Sequence, residues 1–318
     1  MASVPSYGAS VQLRPSRDLA MVKRVIRLHV GLAVTAVRPI PSGVNDVLLV
    51  SCEEQQVVAR FNLAAELGRF RKEAWCIERA AEVRVGGPEV LGVGTDGAYA
   101  FIVESFVGGR RGDAVPEADQ RQIWRDLGGH LRRVHAVPVG GFGEELADLT
   151  GGGGYGADWN RYLGFNRSAL TPADPLLELD GFDDETQKRL RRMFEILAGA
   201  TLRFGLCHGD PSLSNVILGD DGVLRLIDWG EAHAHVVPHF DLGGILQGGL
   251  DEQAPEFQAV LDGYGLDRAG YEAIGPEVIA LRLLIATDKV RWAIDRKPER
   301  LPAKVETLRS LLRRWPTV

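Results

Sequence analysis

Four polar residues that could do chemistry lie in the stretch "HGDPSLSNVILGDDGVLRLIDW", which starts at His208. The other three are Asp210, Asn215 and Asp228. Amide and carboxylate oxygens are ligands that Mg²⁺ prefers in proteins, so Asn215 and Asp228 could fix the ion against the phosphates of a nucleotide. Asp210 would then stay uncoordinated and could orient an incoming hydroxyl group. This combination of residues suits the transfer of a phosphoryl group to an alcohol.

Two apolar runs must position these residues. "NVIL" and "VLRLIDW" have the composition of buried strands, and "GDDG" between them is typical of a tight turn. We therefore predict a hairpin that starts at Asn215 and ends near Asp228.

The chain before this hairpin reads as a small β-rich region. An amphipathic segment at 63–82 predicts its one main helix, which should end near Val85, and a helical extension capped by Ser16 is expected at about 16–30. Short apolar runs predict five strands, at 32–37, 46–51, 56–63, 88–94 and 98–107.

A glycine-rich segment, "VGGRRGD", marks the expected domain boundary, with one lobe at 1–107 and a second at 108–318. Beyond it the periodicity is mainly helical. Predicted helices lie at about 117–136, 156–168, 184–199, 254–264, 268–293 and 298–314. The predicted fold class is therefore α+β, with two lobes and room for a ligand between them.

Composition excludes several classes of protein. The net charge of −6 over 318 residues argues against a partner that is a nucleic acid, because such proteins carry a basic surface. No apolar run has the length of about 18 residues that a membrane span needs. The N-terminus lacks a signal-peptide pattern and the three cysteines are scattered, so we expect a cytoplasmic protein without disulfides. The sequence does not indicate an oligomeric state.

Other motifs are less specific. "GVGTDG" at 92–97 lies between two predicted strands, so it is interpreted as a hairpin turn and not as a dinucleotide-binding loop, which must open a helix. "GGGGYG" at 151–156 is interpreted as a flexible loop. "HAHVVPH" offers His233, His235 and His239 to a zinc ion, but without a companion ligand at suitable spacing, and a surface loop is the favoured interpretation.

The polar stretch resembles the catalytic loop of kinases. "HGDPSLSN", the following "LIDWGEA" and the downstream "HFDLGGIL" are similar to the motifs of the aminoglycoside phosphotransferase and choline kinase-like family of small-molecule kinases. "WRDLGGHLRRVHAVPVGGFG" is similar to the family's long helix that ends in Leu-x-x-x-His. "FIVESFVGG" resembles its interlobe hinge, and "FRKEA" resembles its N-lobe helix with a glutamate. The resemblance covers residues 30 to 295 and implies a protein-kinase-like fold.

The resemblance implies roles in the C-terminal, catalytic and substrate-binding lobe. Asp210 becomes the catalytic base, and His208 braces the backbone of the loop. Asn215 and Asp228 become the Mg²⁺ ligands. Asp241 would anchor the loop through buried hydrogen bonds, with a helix N-cap as the competing role. Trp229, next to the metal ligand, is expected to pack in the core.

The resemblance also implies a nucleotide-binding N-terminal lobe that binds ATP. Arg60 would contact its phosphates, with Glu73 as ion-pair partner. A surface pair without function is the alternative, and an exposed pair contributes only ~0–1 kcal/mol. The hinge, from Glu104 through Phe106 to 107, would offer backbone groups to adenine, although Glu104 could equally be an ordinary residue at a strand end.

The sequence departs from the pattern of protein kinases at several points. Arginine replaces the usual lysine at position 60. A guanidinium group also pairs well with phosphate and keeps its charge, so this change is compatible with phosphate binding. The phosphate-covering loop "IPSGVNDV" has one glycine, Gly43, with Ser42 and Asn45 as further phosphate neighbours. "DWG" replaces Asp-Phe-Gly and no activation loop follows, which favours a small acceptor over a protein.

The expected activity is ATP- and Mg²⁺-dependent phosphorylation of a hydroxyl on a small molecule. Acidic clusters at 174–185 and 251–256 would suit an aminoglycoside or an amino alcohol, while a neutral macrolide or a sugar stays open and solvated loops explain the charges as well. A nucleotide-binding protein without transfer activity is the alternative. A metal-dependent hydrolase that uses His208, Asp210 and the histidines at 233–239 is a third.

Overall fold

A computed structural model describes residues 18–40, 46–152 and 158–314 of the chain. The chain forms two compact units. The first comprises Met1–Ala74 and Pro88–Phe106, and the second comprises Trp75–Gly87 and Val107–Val318. Within the described ranges, no helix is both long enough and apolar enough to cross a bilayer.

The first unit is built on an antiparallel sheet of five strands. They are β1 (Val34–Ile40), β2 (Asp46–Cys52), β3 (Gln56–Leu63), β4 (Val90–Asp96) and β5 (Tyr99–Ser105), in the order β1-β2-β3-β5-β4. Helix α1 (Leu19–Val25) continues into a π-helical turn at Ile26–Val30. Helix α2 (Leu67–Glu82) follows β3, and its second half belongs to the second unit.

Side-chain alternation gives this sheet two different faces. On one face, Phe101 and Val103 of β5 pack with residues of α1. On the other face, Ala100 and Ile102 pack with Phe70 and Ala74 of α2. The second face also carries polar residues.

The second unit is mainly helical. Its helices are α3 (Glu117–Val134), α4 (Leu146–Thr150), α5 (Trp159–Ser168), α6 (Asp184–Gly199), α7 (His239–Gln247), α8 (Pro255–Tyr264), α9 (Arg268–Arg296) and α10 (Leu301–Arg314). Its strands are β6 (Arg110–Arg111), β7 (Arg203–Cys207), β8 (Val216–Leu218), β9 (Leu224–Leu226) and β10 (His233–Val237). They form a sheet β6-β8-β9 and a separate antiparallel pair of β7 and β10.

Glycines allow α3 and α8 to approach closely. A Cβ atom at Gly128 of α3 would lie 2.1 Å from the carbonyl oxygen of Val260, and one at Gly263 of α8 would lie 1.8 Å from that of Arg125. The main core of this unit lies elsewhere, among α6, α9 and α10, where Phe194 is fully buried.

The structure confirms a β-rich region with one main helix followed by a mainly helical one, and it confirms the hairpin of β8 and β9. Three local predictions were wrong or incomplete. The first described helix is capped by Asp18, whose carboxylate accepts the Met21 N–H, while Ser16 lies outside the described residues. "HAHVVPH" is no surface loop but buried strand β10 and the start of α7. Strand β7 and helix α4 were missed because both are short.

Candidate active site

The segment after β7 carries the predicted catalytic residues. The chain leaves the sheet at Cys207 and passes through Gly209, whose φ of 89° is in the left-handed region. A Cβ atom at this position would lie 2.2 Å from the carbonyl oxygen of Glu231. Only glycine fits such a close approach, so the glycine of "HGD" sets the direction in which Asp210 leaves the strand.

Asp210 and Asn215 are in direct contact. The Asn215 amide nitrogen donates to the Asp210 carboxylate at 2.8 Å and to the Asp210 carbonyl at 3.0 Å. Asp210 is exposed, whereas Asn215 is buried. One side chain therefore fixes a solvent-accessible carboxylate from behind. Within the described part of the chain, nothing donates a hydrogen bond to the Asn215 side-chain oxygen.

His208 is fully buried directly behind this contact. Its Nδ1 accepts the Asp210 N–H at 3.3 Å, and its Nε2 donates to the Ile227 carbonyl at 3.1 Å. Burial lowers the pKa of His208, so the ring is neutral with its proton on Nε2. The ring of Trp229, buried as expected, lies edge-on at 4.8 Å from that of His208. His208 thus links the catalytic loop to the end of β9.

Asp241 holds the backbone of the same loop. Its carboxylate accepts the His208 N–H at 2.9 Å and the Gly209 N–H at 3.0 Å. The residue at the N-cap of α7 is Pro238, and Asp241 lies in the first helical turn. Of the two roles considered for Asp241, the structure therefore shows the anchoring one.

A further member of this network was not assigned from the sequence. His135, which follows α3, is fully buried, and its Nε2 donates to the Asp241 carboxylate at 2.9 Å. Its Nδ1 lies 3.0 Å from the Tyr264 hydroxyl. The signal for His135 was present in the Leu-x-x-x-His pattern, but nothing in the sequence indicates Tyr264 as its neighbour.

Asp228 follows β9 in an unusual backbone conformation. Its φ of 62° and ψ of 67° are left-handed, which a non-glycine residue adopts rarely, although Asp and Asn tolerate it best. The preceding residue, Ile227, donates its N–H to the Asn215 carbonyl at 2.9 Å. Backbone strain of this kind is retained where the side chain has a special task. The structure therefore brings Asp228, Asn215 and Asp210 to one locality.

The donor set of this locality fits Mg²⁺. Asn215 offers its amide oxygen and Asp228 a carboxylate, and both are the hard oxygen ligands that this ion takes. Mg²⁺ commonly uses only one or two protein ligands and completes its shell with water and phosphate oxygens. Two ligands at this position are therefore sufficient.

In the first unit, Arg60 joins two carboxylates. Its Nη2 lies 2.6 Å from Glu73 of α2 and 2.6 Å from Glu104 of β5. The ion pair of Arg60 and Glu73 that the resemblance implied is present, and the alternative of an exposed surface pair was wrong, because Arg60 is 7 % exposed, Glu73 2 % and Glu104 7 %. The face of the sheet that α2 covers is closed around this group, which desolvates it. The side-chain role of Glu104 was open from the sequence, and its contact with Arg60 was not expected.

The predicted hinge is only partly open to a ligand. Phe106 is 42 % exposed, but its N–H donates to the Gln56 carbonyl at 3.1 Å and so already has a partner. The expected phosphate neighbours Ser42, Gly43 and Asn45 lie outside the described residues.

The three histidines at 233–239 show no zinc-site geometry. His233 Nδ1 donates to the Glu231 carbonyl at 2.7 Å, and His235 Nδ1 accepts the Val236 N–H at 2.8 Å. Over the described ranges, the one group whose ligand atoms converge consists of His135, Cys207 and Asp241. There the ring nitrogens and carboxylate oxygens already serve the network described above, so the group is a hydrogen-bonded anchor.

Comparison with known proteins places this geometry in a family. A family model described as "Phosphotransferase enzyme family" matches residues 36–276, which is more than half of the chain. A streptomycin 3″-kinase from Streptomyces griseus is 27 % identical over 219 residues, which cover 65 % of this chain and 75 % of that protein.

Solved structures show the same fold at low sequence identity. A thermostable mutant of the aminoglycoside phosphotransferase APH(4)-Ia, in ternary complex with AMP-PNP and hygromycin B, is 17 % identical with a TM-score of 0.67, over 92 % of this chain and 97 % of that one. The GDP and kanamycin complex of APH(2″)-IIia is 16 % identical with a TM-score of 0.65, over 93 % and 99 %. The fold is the protein-kinase-like fold of aminoglycoside kinases, and the chain belongs to the phosphotransferase enzyme family.

Proposed function

We propose that this protein transfers the γ-phosphate of ATP to a hydroxyl group of a small molecule. The observation that carries the proposal is the Asp210 carboxylate, exposed to solvent and fixed at 2.8 Å by the amide of Asn215. An exposed carboxylate held by a buried amide is positioned for an outside group. The neighbouring left-handed Asp228 supplies a second carboxylate to the same locality.

Asp210 acts on the acceptor. Its carboxylate accepts the hydrogen bond of the acceptor hydroxyl and orients that oxygen in line with the phosphorus atom. Asn215, His208 and Asp241 keep the Asp210 backbone and side chain in one geometry, which matters because small displacements reduce the rate strongly. His208 is neutral and buried, so it braces the loop and moves no proton.

Asn215 and Asp228 hold magnesium in this proposal. When bound, the ion neutralises the charge that develops on the phosphate oxygens. Asp228 directly follows β9 in its left-handed conformation, and the amide nitrogen of Asn215, not its oxygen, is the atom bound to Asp210.

Arg60 and the hinge bind the nucleotide in this proposal. The guanidinium is buried and permanently charged, so it is suited to a phosphate. The Phe106 carbonyl is suited to the amino group of adenine. Structural relatives in complex with AMP-PNP, with ADP and with GDP support a nucleotide as the donor.

The acceptor belongs to the class of small hydroxylated antibiotics or amino alcohols. Support comes from the streptomycin kinase relative and from neighbours bound to hygromycin B and kanamycin. Some acidic residues of the cluster at 174–185, which was expected to suit a cationic acceptor, are engaged in other contacts. Asp174 is buried and paired with Arg291 at 2.6 Å, and Asp183 caps α6 through the Thr186 N–H.

The test is ATP consumption with Mg²⁺ over a panel of acceptors: aminoglycosides, macrolides, amino alcohols and sugars. Asp210→Asn should lower kcat by ~10²–10⁴-fold, because the amide cannot accept the hydroxyl proton. Asp220→Asn, at the exposed turn of the β8–β9 hairpin, is the matched control and should retain full activity. Acceptor-dependent turnover that survives in Asp210→Asn would contradict the role of Asp210. Saturable ATP binding without turnover on any acceptor would favour a binding protein.

A further inference from the structure

We propose that Glu104 opposes nucleotide binding by holding the Arg60 guanidinium that a phosphate must reach. Glu104 would thus set the affinity of the protein for the phosphates of its nucleotide. The inference rests on the proposed function, in which Arg60 contacts those phosphates.

Strand register brings Arg60 and Glu104 to one face of the sheet. Arg60 is opposite Ile102, and Val58 is opposite Glu104, in the antiparallel pair of β3 and β5. Side chains two residues apart point the same way, so both project from the face that Ile102 shares with α2. Glu73 reaches the same guanidinium from α2. The three-residue cluster is therefore fixed by the sheet and by the helix that covers it.

Both carboxylates use the same nitrogen of Arg60. Nη2 carries two hydrogens, and it lies 2.6 Å from Oε1 of Glu73 and 2.6 Å from Oε1 of Glu104. Both hydrogens of Nη2 are therefore committed. A phosphate oxygen can receive a hydrogen bond from this nitrogen only when one carboxylate withdraws.

The charges of the cluster also indicate that Glu104 competes with a nucleotide phosphate for Arg60. One buried guanidinium faces two buried carboxylates. A nucleotide phosphate would bring a further anion close to these carboxylates, and like charges at such distances repel strongly where water is excluded. Glu73 is the more deeply buried carboxylate, at 2 % exposure against 7 %. Glu104 lies one residue before the end of β5 and two residues before the exposed Phe106. Glu104 is therefore the partner that yields.

The decisive experiment compares two probes, MgADP and adenosine, in titration calorimetry at fixed ionic strength. Glu104→Gln should bind MgADP about three- to tenfold more tightly than the natural protein. Its affinity for adenosine should be unchanged, because adenosine has no phosphate. Glu73→Gln should weaken MgADP binding, since Glu73 positions the guanidinium. Opposite effects of the two substitutions on MgADP affinity would show that Glu104 competes with the phosphate while Glu73 positions the guanidinium.

A matched control removes one negative charge without touching Arg60. Glu89→Gln is suitable, because Glu89 is an exposed residue of the same unit, at the edge of β4. It should leave both affinities unchanged. Glu104→Asp, which withdraws the carboxylate from Arg60 by one methylene group, should tighten MgADP binding less than Glu104→Gln. Thermal melting will show whether Glu104→Gln folds. If it does not, the MgADP affinity of Glu104→Asp tests the role of Glu104.

The outcomes separate the two proposals. Weaker MgADP binding in Glu104→Gln, or an equal change for adenosine, would overturn the role of Glu104 while the proposed function stands. MgADP binding in neither the natural protein nor Glu104→Gln would overturn both. Binding only in Glu104→Gln would support the inference in its strongest form.

Discussion

His135 Nε2 lies 2.9 Å from the Asp241 carboxylate, and both side chains are fully buried. The same carboxylate accepts the N–H groups of His208 and Gly209, so a single buried anion connects α3, α7 and the catalytic loop. A buried carboxylate that has lost its water must be stabilised by such donors. This arrangement explains how a loop without regular structure keeps one geometry.

Asp241→Asn should destabilise the protein by about 3–5 kcal/mol at neutral pH, because one partner of a buried pair is lost and an amide cannot replace all its acceptors. Chemical denaturation measures this. Asp262→Asn is the control, since that carboxylate pairs with Arg125 at the surface and its loss should change stability by no more than ~0.5 kcal/mol. Equal stability of Asp241→Asn and the natural protein would contradict the anchoring role.

The same residue predicts a pH dependence. Burial acts to raise the pKa of Asp241, but the hydrogen bond and charge of His135 and the hydrogen bond from the Gly209 N–H together lower it below its ordinary value. A lowered pKa in the folded state means that the stabilisation is fully present above about pH 4 and is lost as pH falls through the folded pKa. The stability difference between the natural protein and Asp241→Asn should therefore shrink in acid. Denaturation curves at pH 7 and pH 3 test this.

His239 should make the protein sensitive to mild acid. Burial lowers its pKa from 6.5 to about 4, and its Nδ1 has no hydrogen-bond partner within the described residues. The unfolded chain takes up this proton near pH 6.5 and the folded protein only near pH 4, so stability falls between these values by about 3 kcal/mol. His239→Gln should lose less stability than the natural protein between pH 7.5 and pH 5. His208 and His235, with pKa values lowered by burial, should act in the same direction. An unchanged pH profile in the variant would contradict the assignment.

Two substitutions at Asp228 distinguish its role in the backbone conformation from its role as a metal ligand. Asp228→Asn keeps a residue that tolerates the left-handed conformation, so it should leave the melting temperature nearly unchanged while it weakens magnesium dependence and nearly abolishes turnover. Asp228→Ala should behave likewise in activity but should also lose about 1 kcal/mol of stability, because alanine lacks the short polar side chain that lets Asp and Asn tolerate the left-handed conformation. Magnesium titration of ATP turnover, together with melting curves, measures both effects. A natural magnesium response in either variant would exclude Asp228 as a ligand.

Arg60→Met should lower stability as well as nucleotide affinity. The substitution leaves Glu73 and Glu104 buried without their shared cation, which predicts a loss of about 3–5 kcal/mol. Arg24→Ala is the control in the same unit, because Arg24 pairs with Asp96 at the surface and should contribute only ~0–1 kcal/mol. Thermal melting and calorimetry with MgADP give the two readouts. If nucleotide affinity falls without loss of stability, the buried cluster does not support the fold.

Local patterns predicted the hairpin of β8 and β9, since its two strands and its turn lie close together along the chain. The candidate catalytic residues Asp210, Asn215 and Asp228 were indicated by their spacing in the same stretch. Helix α6 was predicted with both ends correct because its amphipathic period is regular. Short elements such as β7 were missed because they carry too few residues for a period to be seen.

Contacts between distant parts of the chain could not be predicted in the same way. The sequence indicated Arg60 and Glu73 as a pair by resemblance but left open whether the pair is exposed, and the fold buries it. Glu104 and Tyr264 reach their partners only through the register of a sheet and the packing of two helices.

The sequence alone determined which groups are available for chemistry and their order along the chain. It determined this because residue types and short-range spacing decide turns, hairpins and helix faces. Tertiary structure decided which of these groups are buried away from water and which charged groups come into contact. Arg60 is buried between two carboxylates, His208 is neutral, and Asp241 is the common acceptor because desolvation and close approach arise only when segments far apart in the chain pack together.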